Sequence, residues 1–234
     1  MFGLKFKRLK INKTMRFTDI NIQDDITKSE YYNKKIAISN KEGKPLRFQI
    51  PRMYMPFGVS GFTPEIGSTK WNVDFSMKGW DEEGNYIKKF YDFVRGIEQN
   101  IIAHIEENSM EIFGKDNVNV KNLFNSNIKE DSSGREPKFR VKVDTDQTNK
   151  IKPRFFDINE NDVTTVAEKG LYAKHSGVSL IELNSVYFLN KMCGFTWKLC
   201  QMKLYEPQRL KGFQFNIDET TDDNVEVKGF QFQV

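Results

Sequence analysis

The sequence has 234 residues, 36 Lys and Arg against 32 Asp and Glu, and a formal net charge of +4. Hydrophobic residues make up 38%, enough for one core; no apolar run approaches the ~18 residues of a membrane span, and the basic start MFGLKFKRLK has no apolar segment behind it, so no signal peptide is expected. Two cysteines, Cys193 and Cys200, and two histidines are too few for a disulfide framework or a four-ligand structural zinc site, so reduced thiols in an intracellular setting are expected.

In chain order, an imperfect alternation over 15–22 and the short apolar run 35–39 predict two strands. In 46–50, Leu46, Phe48 and Ile50 share one face while Arg47 and Gln49 share the other, the period of a half-buried strand. Pro51, Pro56, Gly58, Gly61, Pro64 and Gly67 then break the chain repeatedly, which predicts an irregular, aromatic-containing loop over 51–69. Trp71, Val73, Phe75 and Met77 alternate with polar residues and predict a further strand. The period changes at Ile87, Phe90, Val94, Ile97, Ile101 and Ile105, which recur at three- and four-residue steps. That spacing predicts an amphipathic helix over about 86–108, capped by Asn85.

Residues 114–137 are rich in Asn, Ser and Lys and read as a long polar loop. Strand signals resume at 138–144 and 154–158. Two long strands are predicted over 178–190 and 195–205, joined by a turn at 190–194. The end carries KGFQF twice, at 211–215 and 228–232, as two equivalent strands around an acidic loop would. The order of strands, loop, strand, one helix and more strands predicts a mainly β fold. An OB-fold-like small barrel with one long inserted helix fits it, and the open face of such barrels commonly binds oligonucleotides. A β-sandwich with a peripheral helix is the alternative. The predicted division is a domain over 1–215 and an acidic tail over 216–234 ending in a candidate strand.

Charge and aromatic content narrow the partners. Residues 216–234 hold five acids and one base, Lys228, so the tail is −4 and residues 1–215 carry +8. A basic body beside an acidic end suggests a polyanionic partner for the body. Phe occurs 20 times, beside 8 Tyr and 3 Trp, so core rings and stacking platforms are both available. In 138–143, KFRVKV, strand geometry puts Lys138, Arg140 and Lys142 on one face about 7 Å apart, and Phe139, Val141 and Val143 on the other. In 195–205, Phe195, Trp197 and Tyr205 interleave with Lys198 and Lys203, the combination that sequence-tolerant single-strand binding uses. Trp197 alternates with Phe195 and Leu199 and is expected in the core, whereas Trp80, in a Lys-Gly-Trp-Asp turn, is expected to be exposed.

Catalytic chemistry finds little footing. His104 lies within the helix beside Glu106 and Glu107, and neither cysteine has an adjacent histidine. No glycine-rich phosphate loop occurs. Glu136-Pro137-Lys138, with Asp116 or Asp131 upstream, loosely resembles the carboxylate-Lys arrangement of metal-dependent nucleases. Glu-x-Lys is common by chance, and Glu226-Val227-Lys228 is another copy.

The stretches PLRFQIPRMYMPFGVSGF (45–62), WNVDFSMKGWDEEG (71–84), KFYDFVRGIEQNI (89–101), KFRVKV (138–143) and SVYFLNKMCGFTWKLCQMKLY (185–205) together resemble a family. It is that of the single-stranded DNA-binding proteins of nucleocytoplasmic large DNA viruses, related to the podophage-type replication protein. The resemblance covers about residues 40–205 and is most specific in Pro56-Phe57-Gly58 and in Gly-Phe-Thr-Trp-Lys (194–198). It implies an OB-fold and single-stranded DNA binding with little sequence preference, serving viral replication, recombination and repair, without metal or other cofactor. The residues expected to meet DNA are Lys138, Arg140, Lys142, Arg47, Arg52, Tyr54, Phe57, Lys70, Trp80, Arg154 and Lys198. Implied partners are viral replication proteins, met through the tail, and a second copy in a homodimer, at sites of viral DNA replication in the infected cell, cytoplasmic or nuclear. One departure stands out. In podophage-type proteins the tail ends in acids and a final aromatic, whereas here the sparse acids at 218–226 are followed by KGFQFQV. The alternatives are a virion structural or adaptor protein and, more remotely, the nuclease.

Overall fold

The computed structural model describes residues 20–23, 35–40, 44–114, 118–189 and 192–207. In chain order these form β1 (Ile20–Gln23), β2 (Lys35–Asn40), β3 (Leu46–Gln49), β4 (Met53–Tyr54), β5 (Val59–Phe62) and β6 (Lys70–Ser76). Next come α1 (Tyr86–Glu107), α2 (Ser109–Phe113), β7 (Ile128–Lys129), β8 (Lys138–Val143), β9 (Arg154–Phe156), β10 (Ser176–Leu189) and β11 (Met192–Tyr205). Residues 15–19, the turn at 190–191, the two KGFQF segments and the acidic tail lie outside the described residues.

The fold is mainly β with one long helix, and its pairing closes a barrel. Strand β10 pairs antiparallel with β11, β11 pairs parallel with β8, β8 pairs antiparallel with β6, and β6 with β5. Strands β3 and β4 pair with β10. The single run 46–62 therefore meets β10 with its first part and β6 with its last, joining both ends of the path. This is the Greek-key order of a five-stranded OB barrel, with the run 46–62 serving as one bent strand. The predicted loop at 51–69 is thus partly strand. Its Pro and Gly residues mark bends in a strand that changes partner, which local punctuation cannot distinguish from a loop. Strands β1 and β2 extend the sheet from β10.

Alternation fills the barrel. Trp71, Val73 and Phe75 of β6, Phe139, Val141 and Val143 of β8, and Phe195, Trp197 and Leu199 of β11 all point inward and are buried. Trp197 is 1% exposed, with the rings of Phe48, Phe139 and Phe195 at 5.8, 5.9 and 5.7 Å. The apolar stripe of α1 includes Phe90, Phe93, Val94, Ile97, Ile101 and Ile105. Phe90 meets Phe139 edge-on at 5.1 Å, and Phe93 meets Phe48 at 5.7 Å, so the helix lies across one end of the barrel interior.

The helix begins where the sequence predicts. Asn85 is its cap, its side-chain oxygen accepting from the Ile87 N–H at 2.8 Å. Asn85→Ala is expected to cost about 1 kcal/mol of stability, read from chemical denaturation. At the other end, Asn108 leads into α2, which stops on left-handed Gly114.

The predicted polar loop at 114–137 is tied down by a buried carboxylate. Glu98, 4% exposed, accepts from Ser126 Oγ at 2.7 Å, from the Asn127 N–H at 3.0 Å and from Arg95 at 3.1 Å. Asn127 in turn donates to the Phe195 carbonyl, and its own carbonyl accepts from the Arg140 N–H. A short 3-10 turn at Val120–Asn122 and strand β7 are the result.

Candidate nucleic-acid interface

Because Phe139, Val141 and Val143 are inside, Lys138, Arg140 and Lys142 stand outside. Strand register then aligns Arg47, Glu182, Lys198, Lys142 and Asn72 as one row across five strands. Lys129 of β7 sits cross-strand from Lys138 on the same face. The predicted basic face exists, but most of its cations have local partners. Arg140 forks onto Asp74 with bonds of 2.7 and 2.8 Å, and Asp74 is 5% exposed. Lys142 and Lys198 share Asp144, at 2.7 and 3.3 Å. Arg47 bonds Glu182 at 2.9 Å, and Lys138 lies 3.9 Å from Asp131. Burial alone would raise the Asp144 carboxyl, but the hydrogen bond and charge of Lys142, with Lys198 beyond, hold it below the ordinary carboxylate range. Lys129 shows the opposite strain: burial pushes its ammonium down, and the charge of Arg140 adds to the effect.

An exposed ring stands beside one of these cations, Lys138. Gly58 has φ +60°, and a Cβ there would come within 2.1 Å of the Leu171 carbonyl oxygen, so only glycine fits this close approach. The turn before it displays Phe57, 52% exposed, with the Lys138 ammonium 5.2 Å from the ring centroid.

The other expected contacts lie elsewhere on the barrel's outside. Lys70 is opposite Phe62, both exposed, at the end of β6. Arg52 lies 4.0 Å over the Tyr205 ring, and Tyr54 is 44% exposed beside the start of β10. Neither Lys70 nor Arg52 has an ion-pair partner among the described residues. Arg154 bonds Asp162 at 2.9 and 2.7 Å. The Thr164 hydrogen bonds and Arg154 push the Asp162 carboxyl down to about 2, so this pair stays ionised across the physiological range.

Trp80 departs from the exposed placement expected of a turn residue. It is half-buried, its ring 4.9 Å from Tyr91 of α1, because the turn folds back on the helix that follows it. The structure also adds groups that the sequence reading did not single out. Lys129 went unseen inside a stretch read as loop, since a two-residue strand leaves no periodicity. Phe156 was legible in principle: of two adjacent phenylalanines in a strand, one faces out.

Both cysteines are free, and burial pushes the Cys193 thiol up to about 11, far from a nucleophile's range. Among the described residues no three His, Cys, Asp or Glu side chains gather as a metal site would require. Glu136 accepts from Ser76 Oγ, Asp131 faces Lys138, and Asp116 lies outside the described residues. No described helix is long and apolar enough to cross a membrane.

No protein-family model matches the sequence, and no curated protein matches it. Among solved structures, the chain is similar to the single-stranded DNA-binding protein from bacteriophage Enc34 in complex with single-stranded DNA. The identity is 13% and the TM-score 0.45, over 75% of this chain and 93% of that one. It is also similar to gp2.5, a single-stranded DNA-binding protein encoded by bacteriophage T7. There the identity is 13% and the TM-score 0.44, over 79% of this chain and all 100% of the other.

Proposed function

We propose that this chain is a non-catalytic single-stranded DNA-binding protein, which keeps bound strands unpaired and shielded. The observation that carries the reading is the cluster of Lys129, Lys138 and Arg140 beside exposed Phe57. Burial depresses the Lys129 ammonium and Arg140 adds to the effect against the opposing charges of Glu98 and Asp74, and a phosphate oxygen beside Lys129 would favour its charged form. Phe57 offers a ring beside Lys138 of this cluster. Duplex DNA hides its base faces, whereas a single strand can offer both a phosphate and a base to this spot. Stacking on a ring tolerates every base, which accounts for little sequence preference. The viral setting, with roles in replication, recombination and repair, is proposed from the sequence resemblance over 40–205. The same holds for replication partners met through residues 216–234, for homodimerisation and for residence at replication sites.

Phe57→Ala tests the reading. One lost stacking contact, at about 1–3 kcal/mol per base, is expected to weaken oligo-dT binding roughly tenfold or more. Thermal stability should barely change, because the ring is half out of the protein. A large fall in melting temperature with unchanged affinity would assign Phe57 to packing instead.

A further inference from the structure

We propose a second contact on the same face: a groove at the far end of β11 that takes one unpaired base of the bound strand between Phe156 and Tyr205. The inference rests on the single-strand reading above and extends it to a place the basic cluster does not reach. The open groove offers about 570 Å³ and its lining includes Val178, Leu180, Gln49, Gln201, Phe156 and Tyr205. That volume lies within the ~300–1,000 Å³ typical of small-molecule sites. Register explains its form. Phe156 lies beside Lys203, Tyr205 follows two residues along β11, and Leu180 lies between Gln201 on one side and Gln49 on the other.

Each side ring is backed by a guanidinium that is not itself part of the lining. Arg52 lies 4.0 Å over Tyr205, and Arg154 lies 5.0 Å over Phe156. The rings thus line the groove while the guanidiniums over them do not, with Arg154 also held by Asp162, an arrangement that suits a base in the groove and a phosphate near Arg52. The one carboxylate in the lining, Glu160, faces the Lys203 ammonium at 3.5 Å. Gln49 and Gln201 can each donate or accept, so their amides serve any base edge. The groove continues the outer surface of β11 from Lys198. The seven steps from Lys198 to Tyr205 span about 23 Å at ~3.3 Å each, a reach of a few nucleotides.

Two measurements on the full chain test this. In the first, the wild type and the Phe156→Ala/Tyr205→Ala variant are titrated with oligo-dT and with the same oligonucleotide carrying abasic positions along one half. The wild type is expected to bind the abasic strand about tenfold more weakly than oligo-dT. The variant is expected to bind both alike, with the salt slope of the wild type, since rings and not charges were removed. In the second, wild-type protein is photo-crosslinked to iododeoxyuridine oligonucleotides and the adducts are mapped by mass spectrometry, which needs no variant to fold. Adducts on Phe156 or Tyr205 are expected. Tight oligo-dT binding with no abasic penalty, or adducts confined to the Phe57 side, would overturn the groove and leave the basic face standing. Failure of the wild type to bind any single strand would overturn both.

Discussion

Alanine at Lys129, Lys138 and Lys198 together is expected to weaken oligo-dT binding by about a hundredfold near 0.1 M salt. Each phosphate neutralised on a single strand contributes ~0.7 to the slope of log affinity against log salt, so three lost contacts flatten it by about two. These three lysines can be removed without stranding a buried charge. Asp144 keeps Lys142 at 2.7 Å when Lys198 is lost, and Asp131 keeps its hydrogen bond from the Ser133 N–H when Lys138 is lost. Melting followed by circular dichroism should match the wild type. An unchanged salt slope in a folded triple variant would reduce this face to a solvated surface.

Arg140 is expected to behave differently from its neighbours, because its partner is buried. Arg140→Ala leaves Asp74, 5% exposed, without the two bonds that hold its carboxylate. The expected loss is about 2–3 kcal/mol of stability, below the full penalty for a buried pair because the Arg140 side chain is 45% exposed. Adding Asp74→Asn to the same variant is expected to restore about half of the loss, since an amide is cheaper to leave buried than a carboxylate. Urea titrations of the two variants decide this. If both are equally stable, the pair is ornamental. Any DNA-binding defect of Arg140→Ala alone is therefore to be read beside its stability.

What could be read from the sequence follows the range of the interactions involved. The helix predicted over 86–108 is Tyr86–Glu107, because a 3.6-residue period and an Asn cap are local signals. The strands predicted over 178–190 and 195–205 are Ser176–Leu189 and Met192–Tyr205, paired along their length. The outward placement of Lys138, Arg140 and Lys142 also followed from alternation alone. Their ion pairs did not, since Asp74 lies 66 residues from Arg140 and meets it only through the β6–β8 register. Closure of the barrel by the run 46–62 was hidden for the same reason. Glu98 shows a further limit: hydropathy reads 114–137 as loop, while a carboxylate on α1 supplies the hydrogen bonds that order part of it. The groove between Phe156 and Tyr205 joins β9 to β11, a pairing no local pattern announces.

The most direct test is fluorescence anisotropy of the full chain with labelled oligo-dT, oligo-U and a hairpin duplex of equal length, in EDTA, from about 50 to 200 mM salt. Tightest binding to oligo-dT is expected, with log affinity falling linearly as log salt rises and no metal required. Equal or tighter binding to the duplex, or no salt-dependent binding to oligo-dT, would contradict single-strand binding by this barrel.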